Sequence, residues 1–285
     1  MYELLVGGCS GSSAPIHPRS IFGHLTTSFG LLDRKNKRGI VIDNGTGVQV
    51  VAKEMLIAGI VETIIVQTHF HSDHLEGLQF NTLLFGRTVE AIVVPRFKDT
   101  KRFEQIYAER FDQSAWPVSP ETFGIQHSFI SFQPSAHHNM KLDNQGWIDT
   151  LELNHPGGSI GYRFALPDGQ VIVIATDNEL NGTDEEYRMD YGNFVSGANI
   201  LIADVQYTQD EYAGRVSLGG EAMFRKGWGH STPEMLADTL TRFCDIRPKE
   251  IYLTHHDPSR TDDDLYEFLD QIHEVDEDFS LLMPS

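Results

Sequence analysis

Three histidines and one aspartate lie within six positions of one another in this chain. The stretch reads His69-Phe70-His71-Ser72-Asp73-His74. It follows an apolar, β-branched run at residues 63–66, which is typical of a buried strand. A strand that ends in a tight turn would direct these side chains into one small volume. Because imidazole and carboxylate groups are ligands that zinc, iron and manganese prefer, the stretch predicts a metal site. A histidine-rich polar turn without metal is the alternative.

Four further histidine and aspartate residues each lie at the end of a predicted strand later in the chain. They are His155, Asp177, Asp204 and His255. Ligands that follow several strands converge when those strands end at one edge of a sheet. Zinc takes about four ligands per ion, and a catalytic site leaves one position for water. A set of seven protein ligands, one of them a bridging carboxylate, would therefore suit two ions.

Local signals predict the elements around these residues. A helix is expected over residues 75–84, directly after the histidine stretch. Two apolar runs should pair as a hairpin through the turn Pro167-Asp168-Gly169. Thr232 and Pro233 are typical of a helix start. The glycine- and serine-rich residues 7–13 either let the backbone pass close to the metal site or form a plain surface turn.

The composition limits the kinds of partner that this chain can bind. Its 285 residues carry 22 basic and 41 acidic side chains, which gives a net charge of −19. Such a surface repels polyanions and argues against nucleic-acid binding through a broad basic face. A small anionic substrate remains compatible, since metal ions supply positive charge within a site. We expect residues 1–285 to form a single domain.

The two cysteines, Cys9 and Cys244, are too few for a disulfide framework and fit a reducing compartment. The N-terminal residues do not have the pattern of a signal peptide. No stretch approaches the roughly 20 apolar residues that a membrane span needs. We therefore expect a soluble, cytoplasmic protein without a membrane partner.

The motifs together resemble the metallo-β-lactamase superfamily. The histidine stretch matches its H-x-H-x-D-H motif, and three later residues match its single-residue motifs in the same order. Those three are His155, Asp177 and His255. Within the superfamily the chain is most similar to the ribonuclease Z and phosphodiesterase branch. That similarity is carried by Asn154-His155-Pro156 running to Gly161-Tyr162-Arg163, by Gly229-His230-Ser231-Thr232, and by Leu253-Thr254-His255. The resemblance implies an α/β (α+β) fold, a four-layer αββα sandwich with metals at one edge of its two sheets.

The resemblance also implies a complete ligand set for two divalent ions. Zinc is expected, with manganese or iron as alternatives. One ion would be bound by His69, His71 and His155, and the other by Asp73, His74 and His255, with Asp177 bridging the two. His256 is the alternative to His255, although the order Leu-Thr-His favours His255.

The same resemblance implies roles for two residues outside the ligand set. In the ribonuclease Z branch, a histidine in a His-Ser-Thr motif assists the leaving group and an acidic residue orients it. His230 and Asp204 match these positions. A metal-bound hydroxide would attack phosphorus, Asp73 would orient this nucleophile, and His230 would protonate the departing alkoxide. The alternative is that His230 packs in the core beside a helix cap.

The chain is expected to act on a small substrate. Family members that process tRNA carry an arm between the motifs matched by His155 and Asp177. Only 21 residues separate these two positions, which leaves no room for a tRNA-binding arm. We predict a small phosphodiester substrate, either a cyclic nucleotide or a short oligonucleotide, and the resemblance is compatible with a homodimer. The alternatives are a thioester or lactone hydrolase of the same fold and a non-catalytic, metal-binding sensor module.

Overall fold

The computed structural model describes residues 2–97, 103–133, 138–141, 146–181, 184–217 and 221–285. The chain divides into two compact units. The first comprises residues 1–14, 23–133 and 283–285, and the second comprises residues 15–22 and 134–282. Each unit contains one mixed β-sheet with helices. None of the described helices combines the length and the apolar character that crossing a membrane requires.

The sheet of the first unit has six strands among the described residues. They are β1 Glu3–Gly8, β2 Ser28–Asp33, β3 Arg38–Ile42, β4 Glu62–Val66, β5 Val89–Pro95 and β6 Phe129–Phe132. The strands lie in sequence order across the sheet. The first three pair antiparallel, whereas β3 to β6 pair parallel, so the last four strands end at the same edge. The helices of this unit are α1 Val48–Ile57 and α2 Phe103–Arg110.

Helix α1 covers the sheet of the first unit with one apolar face. Its buried residues are Val48, Val51, Ala52 and Met55, which follow the i, i+3, i+4, i+7 spacing of a helix face. Gly30 on β2 permits this close packing. A Cβ atom there would lie 2.8 Å from the Val51 side chain.

The prediction of a helix over residues 75–84 is wrong. Two short 3₁₀ turns, Leu78–Phe80 and Thr82–Phe85, lie in this region, and a third precedes it at Ser72–His74. Gly77 donates its amide to Asn44 O at 2.8 Å instead of continuing a helical ladder. The side chain of Asn81 then accepts from the Leu83 amide at 3.1 Å and starts a new turn. Local side-chain and backbone bonds thus replace the regular helix.

The sheet of the second unit has seven strands among the described residues. They are β7 His138–Lys141, β8 Trp147–Leu153, β9 Ser159–Ala165, β10 Val171–Ala175, β11 Ile200–Asp204, β12 Glu250–Thr254 and β13 Phe279–Leu281. Strands β7 to β10 pair antiparallel and strands β10 to β13 pair parallel. The predicted hairpin through Pro167–Gly169 is confirmed by the pairing of β9 with β10.

The helices described in the second unit are α3 Glu185–Val195, α4 Gln209–Tyr212, α5 Pro233–Phe243 and α6 Asp262–Val275. Helices α3, α5 and α6 contribute residues to a large apolar cluster. The predicted helix start is confirmed, since the Thr232 side chain accepts from the Met235 amide and Pro233 opens α5. Leu236 and Phe268, from α5 and α6, are buried in the cluster together with Leu201 of β11. This packing holds the parallel strands β10, β11 and β12 in place. Asp177, Asp204 and His255 lie at or just after the ends of these strands.

Candidate metal centre

The first unit brings the histidine stretch together directly after β4. The imidazole centroid of His69 lies 4.6 Å from that of His71 and 4.2 Å from that of His74. Asp73 Oδ2 lies 3.5 Å from His74 Nε2. His69, Asp73 and His74 are buried, and His71 is exposed. The four residues predicted from the motif therefore form one cluster of nitrogen and oxygen donors.

Asp43 orients this cluster and was missed by the sequence analysis. It follows β3, is fully buried and lies at a φ of 62°, a left-handed conformation that aspartate tolerates. His74 donates its Nδ1–H to Asp43 Oδ2 across 2.7 Å, and Thr68 donates both its amide and its hydroxyl, each at 2.7 Å. Burial raises the pKa of Asp43, and the bonds from His74 and Thr68 oppose this rise. Because Nδ1 of His74 carries the proton, its Nε2 presents a lone pair to the cluster.

The glycine- and serine-rich residues 7–13 contact the same cluster. The amide of Ser12 donates to Asp73 Oδ2 across 2.8 Å. Ser12 itself adopts a φ of 61°. This contact favours the interpretation that the loop passes close to the metal site, because it fixes the carboxylate of a predicted ligand.

In the second unit, two predicted histidine ligands lie near one carboxylate oxygen of a third predicted ligand, Asp177. Asp177 Oδ1 lies 3.1 Å from His255 Nε2 and 3.8 Å from His155 Nε2. Asp177 and His255 follow the parallel strands β10 and β12, and both adopt left-handed φ angles of 59° and 67°. His155 donates its Nδ1–H to the carbonyl of Gly229 at 3.0 Å, so its Nε2 lone pair faces Asp177.

His255 and His256 have different surroundings. His256 donates from Nε2 to the carbonyl of Leu282 at 2.8 Å, and its ring meets the edge of the Phe22 ring. Burial lowers the pKa of His256 to about 4, so this imidazole is neutral at physiological pH. The geometry favours His255 as the ligand, since only this ring of the pair contacts Asp177 in the described structure.

His230 is buried beside the helix cap, and its ring faces the same cluster. It donates its Nδ1–H to Asp204 Oδ2 across 2.6 Å, and its ring stacks on that of His255 with centroids 4.5 Å apart. Ligand atoms of Asp177, Asp204, His230 and His255 all lie within 4.8 Å of one another. The cap is formed by the Thr232 side chain. His230 is thus held by a carboxylate beside a predicted metal ligand.

Glu179 is a second residue that the sequence analysis missed. It is buried and accepts hydrogen bonds from the Tyr212 hydroxyl at 2.6 Å, from the Gly227 amide at 2.8 Å and from the Gly229 amide at 2.9 Å. Burial alone would raise the pKa of Glu179, but these bonds and one from Asn181 together lower it. The ionised carboxylate thereby fixes the loop that leads into His230.

The donor set fits divalent metal ions in both units. Each unit offers an imidazole whose Nδ1–H is bound by an acceptor, His74 by Asp43 and His155 by Gly229. Ligating histidines in metalloproteins are usually oriented in this way. Each unit also offers a buried aspartate, Asp73 or Asp177. Buried imidazole and carboxylate donors without thiolates are suited to zinc, manganese or iron.

A family model for the β-lactamase superfamily domain matches residues 38–256. The chain belongs to this superfamily. The match begins at β3 and ends just after His255, so it includes every motif residue identified from the sequence. Solved structures with the metallo-β-lactamase fold align over the whole chain, which confirms the predicted α/β fold class with its two mixed sheets and helices.

Individual superfamily members confirm the predicted resemblance to the ribonuclease Z branch. Ribonuclease Z of Chlamydia pneumoniae is 25% identical over 224 residues, which cover 73% of this chain and 63% of that protein. The chain spans less than two thirds of the length of the curated relatives it matches.

Two solved structures share the fold at low sequence identity. The short form of human tRNase Z has a TM-score of 0.63 and 16% identity, and the alignment covers 100% of this chain and 97% of that protein. Zn²⁺-bound PqqB from Methylobacterium extorquens has a TM-score of 0.65 and 10% identity, with 100% and 98% covered. At these identities the two structures support the fold of the chain and not its activity.

Proposed function

We propose that this chain is a metal-dependent phosphodiesterase that hydrolyses small phosphodiesters. The proposal rests on the 2.6 Å hydrogen bond between His230 and Asp204, which lies beside Asp177 and His255. A diester releases an alkoxide, which is a poor leaving group unless an acid protonates it. A thioester releases a thiolate, which needs no such acid. The carboxylate-held imidazole therefore supports phosphodiester hydrolysis over thioester hydrolysis.

Two divalent ions complete the proposed centre. In this proposal His69, His71 and His155 would hold one ion, Asp73, His74 and His255 would hold the other, and Asp177 would serve both. Zinc is the proposed metal, with manganese or iron as alternatives, and the donor chemistry described above supports this choice. When bound, the ions supply positive charge that lowers the pKa of water and stabilises the charge that develops on the phosphoryl oxygens.

The protein residues have separate tasks in the proposed reaction. Asp73, held by the Ser12 amide, orients the attacking water as well as binding metal. His230 donates its Nε2 proton to the oxygen that leaves phosphorus. Asp204 retains the Nδ1–H of His230, so the proton that is transferred comes from Nε2. Proton donation and water orientation are thus assigned to different side chains.

The substrate is proposed to be a cyclic nucleotide or a short oligonucleotide. The relatives named ribonuclease Z support a phosphodiester target. Strands β9 and β10 occupy most of residues 156–176, which supports the absence of a tRNA-binding arm there. The net charge of −19 also disfavours a large polyanion.

We also propose a cellular setting for this chain. Neither Cys9 nor Cys244 forms a disulfide in the described structure, which supports a reducing, cytoplasmic location. Homodimer formation stays a prediction, as does the assignment of residues 1–285 to a single domain.

Metal-loaded protein tested against three substrate classes would decide this proposal. We expect bound divalent metal and faster hydrolysis of bis(p-nitrophenyl) phosphate than of a thioester or a lactone. Preferred thioester or lactone turnover by the metal-loaded protein would contradict the phosphodiesterase assignment. Bound metal with no turnover of any substrate would instead support a sensor.

A further inference from the structure

The segment that leads into His230 presents an exposed surface that is both aromatic and basic. Residues 223–228 read Met-Phe-Arg-Lys-Gly-Trp, and we call them the 223–228 loop. Met223, Phe224 and Trp228 are 52%, 62% and 44% exposed. Single exposed apolar side chains are common, but three within six residues form a patch that is typical of binding sites. Lys226 is exposed and adds a positive charge to this surface in a chain whose net charge is −19, while the half-buried Arg225 pairs with Asp257.

A series of ring contacts connects this loop to His230. The guanidinium carbon of Arg225 lies 5.6 Å from the centre of the Trp228 ring and 4.5 Å from the centre of the Tyr207 ring. The Tyr207 ring in turn meets the His230 ring edge-on, with centroids 5.9 Å apart. The exposed Trp228 ring is therefore linked to the proposed general acid through packed side chains of the second unit.

Hydrogen bonds hold the loop in this conformation. The amides of Gly227 and Gly229 donate to the buried Glu179 carboxylate at 2.8 and 2.9 Å. The amide of Arg225 donates to the carbonyl of Tyr212 at 3.0 Å. These bonds hold the backbone of Trp228 in place. Less conformational entropy is therefore lost when a ligand binds to the Trp228 ring.

We propose that the 223–228 loop binds the nucleobase of the substrate, which stacks on the exposed ring of Trp228. The inference rests on the proposed phosphodiesterase function and narrows its substrate to nucleotide diesters. An aromatic ring accepts the π-face of any base, so the loop provides affinity for nucleotides without strong base preference. The exposed Lys226 complements the negative charge of the adjoining phosphate, whereas Arg225 pairs with Asp257 Oδ2 at 3.5 Å and supports the Trp228 ring.

Two diesters with the same leaving group compare a nucleoside with a methyl group. Thymidine 5′-(p-nitrophenyl phosphate) carries a base, whereas methyl p-nitrophenyl phosphate has none. For Trp228→Ala we expect the kcat/KM ratio of the first substrate to the second to fall about tenfold, chiefly through KM of the thymidine diester. Trp228→Phe, which keeps an aromatic ring, should restore most of the ratio.

Trp147 provides a matched control. It is also an exposed tryptophan, at 53%, and it opens β8 at the end opposite His155. Trp147→Ala should leave the ratio at the wild-type value. An unchanged ratio in Trp228→Ala, or an equal fall in both tryptophan variants, would overturn the inference and leave the phosphodiesterase proposal intact.

Equilibrium binding of thymidine 5′-monophosphate separates failure of the inference from failure of the proposed function. We expect the metal-loaded protein to bind this nucleotide and Trp228→Ala to bind it about tenfold more weakly. Binding that depends on Trp228 without any diester hydrolysis would contradict the phosphodiesterase proposal and support the loop as a nucleotide site. Equal binding by wild type and Trp228→Ala, or none by the wild type, would overturn the inference.

Discussion

The imidazole of His230 donates its Nδ1–H to the Asp204 carboxylate across 2.6 Å, and its ring stacks on that of His255. The backbone amides of Asn178 and Ser231 also donate to Asp204, at 3.3 and 3.4 Å. The carboxylate is therefore fixed before any substrate binds. A fixed partner on Nδ1 leaves Nε2 as the nitrogen that exchanges a proton with the substrate.

Asp204→Asn should slow turnover of a diester with an alkoxide leaving group by about 100-fold, because a neutral amide no longer stabilises the protonated imidazole that acts as the acid. Bound metal should be retained, and kcat together with metal analysis measures both effects. Asp210→Asn, an exposed residue of α4, is the matched control and should retain turnover. Loss of metal from Asp204→Asn would indicate that Asp204 is a ligand and not a positioning residue.

His255→Ala should lose metal, whereas His256→Asn should retain it. His255 Nε2 lies 3.1 Å from Asp177, and His256 instead donates to the carbonyl of Leu282. Asparagine can preserve a donor near Leu282 at lower volume, so we expect a moderate fall in Tm and little change in metal content. Zinc titration of the two variants measures the difference. The reverse pattern would assign the ligand to His256.

Glu179→Gln should destabilise the protein by about 1–3 kcal/mol, because an amide cannot accept from every donor that surrounds the carboxylate. Zinc affinity should fall at least about tenfold, since Gly229 also orients His155. Denaturant unfolding and zinc titration measure the two effects. Glu186→Gln, on the exposed side of α3, should change neither, and equal effects of the two substitutions would refute the positioning role.

Asp262→Asn should lower Tm at neutral pH, and the difference should shrink as the pH falls through the folded pKa of Asp262. Desolvation alone would raise the pKa of Asp262, but bonds from the amides of Ser20 and Phe22 together lower it. A carboxyl whose pKa is lower in the folded state stabilises fully above its unfolded pKa of about 3.9, and this stability is lost as the pH falls through the folded pKa.

We expect a Tm difference of about 2–4 °C at pH 7, measured by thermal unfolding at several pH values. Asp263→Asn is the matched control, since Asp263 lies on the same turn of α6 but is exposed. A Tm difference that stays constant between pH 7 and pH 2 would show that the charge of Asp262 does not provide the stability.

The parallel strands and the residues at their ends could be predicted from sequence. Strands β4, β10 and β11 are buried apolar runs, and such runs followed by polar residues stand out in a sequence. The residues after them, including Asp177, were therefore identified before their contacts were known. The histidine stretch could be recognised as a metal site from the spacing of its residues alone.

The residues that support the cluster could not be predicted in this way. Asp43 and Glu179 orient other groups through hydrogen bonds that depend on tertiary packing, and an isolated acidic residue after a strand has many explanations. The 3₁₀ turns after His74 were also missed, because the bonds of Gly77 to Asn44 and of Asn81 to Leu83 override an apolar spacing that resembles a helix.

A comparison of two leaving groups tests whether His230 is the general acid. Two diesters that differ only in their leaving group, p-nitrophenolate or a primary alkoxide, would be hydrolysed by metal-loaded wild type and His230→Ala. The account predicts that His230→Ala retains metal and loses about 100-fold or more in kcat on the alkoxide diester, but much less on the p-nitrophenyl diester. Equal losses on both diesters, or no diester hydrolysis by the metal-loaded wild type, would contradict it.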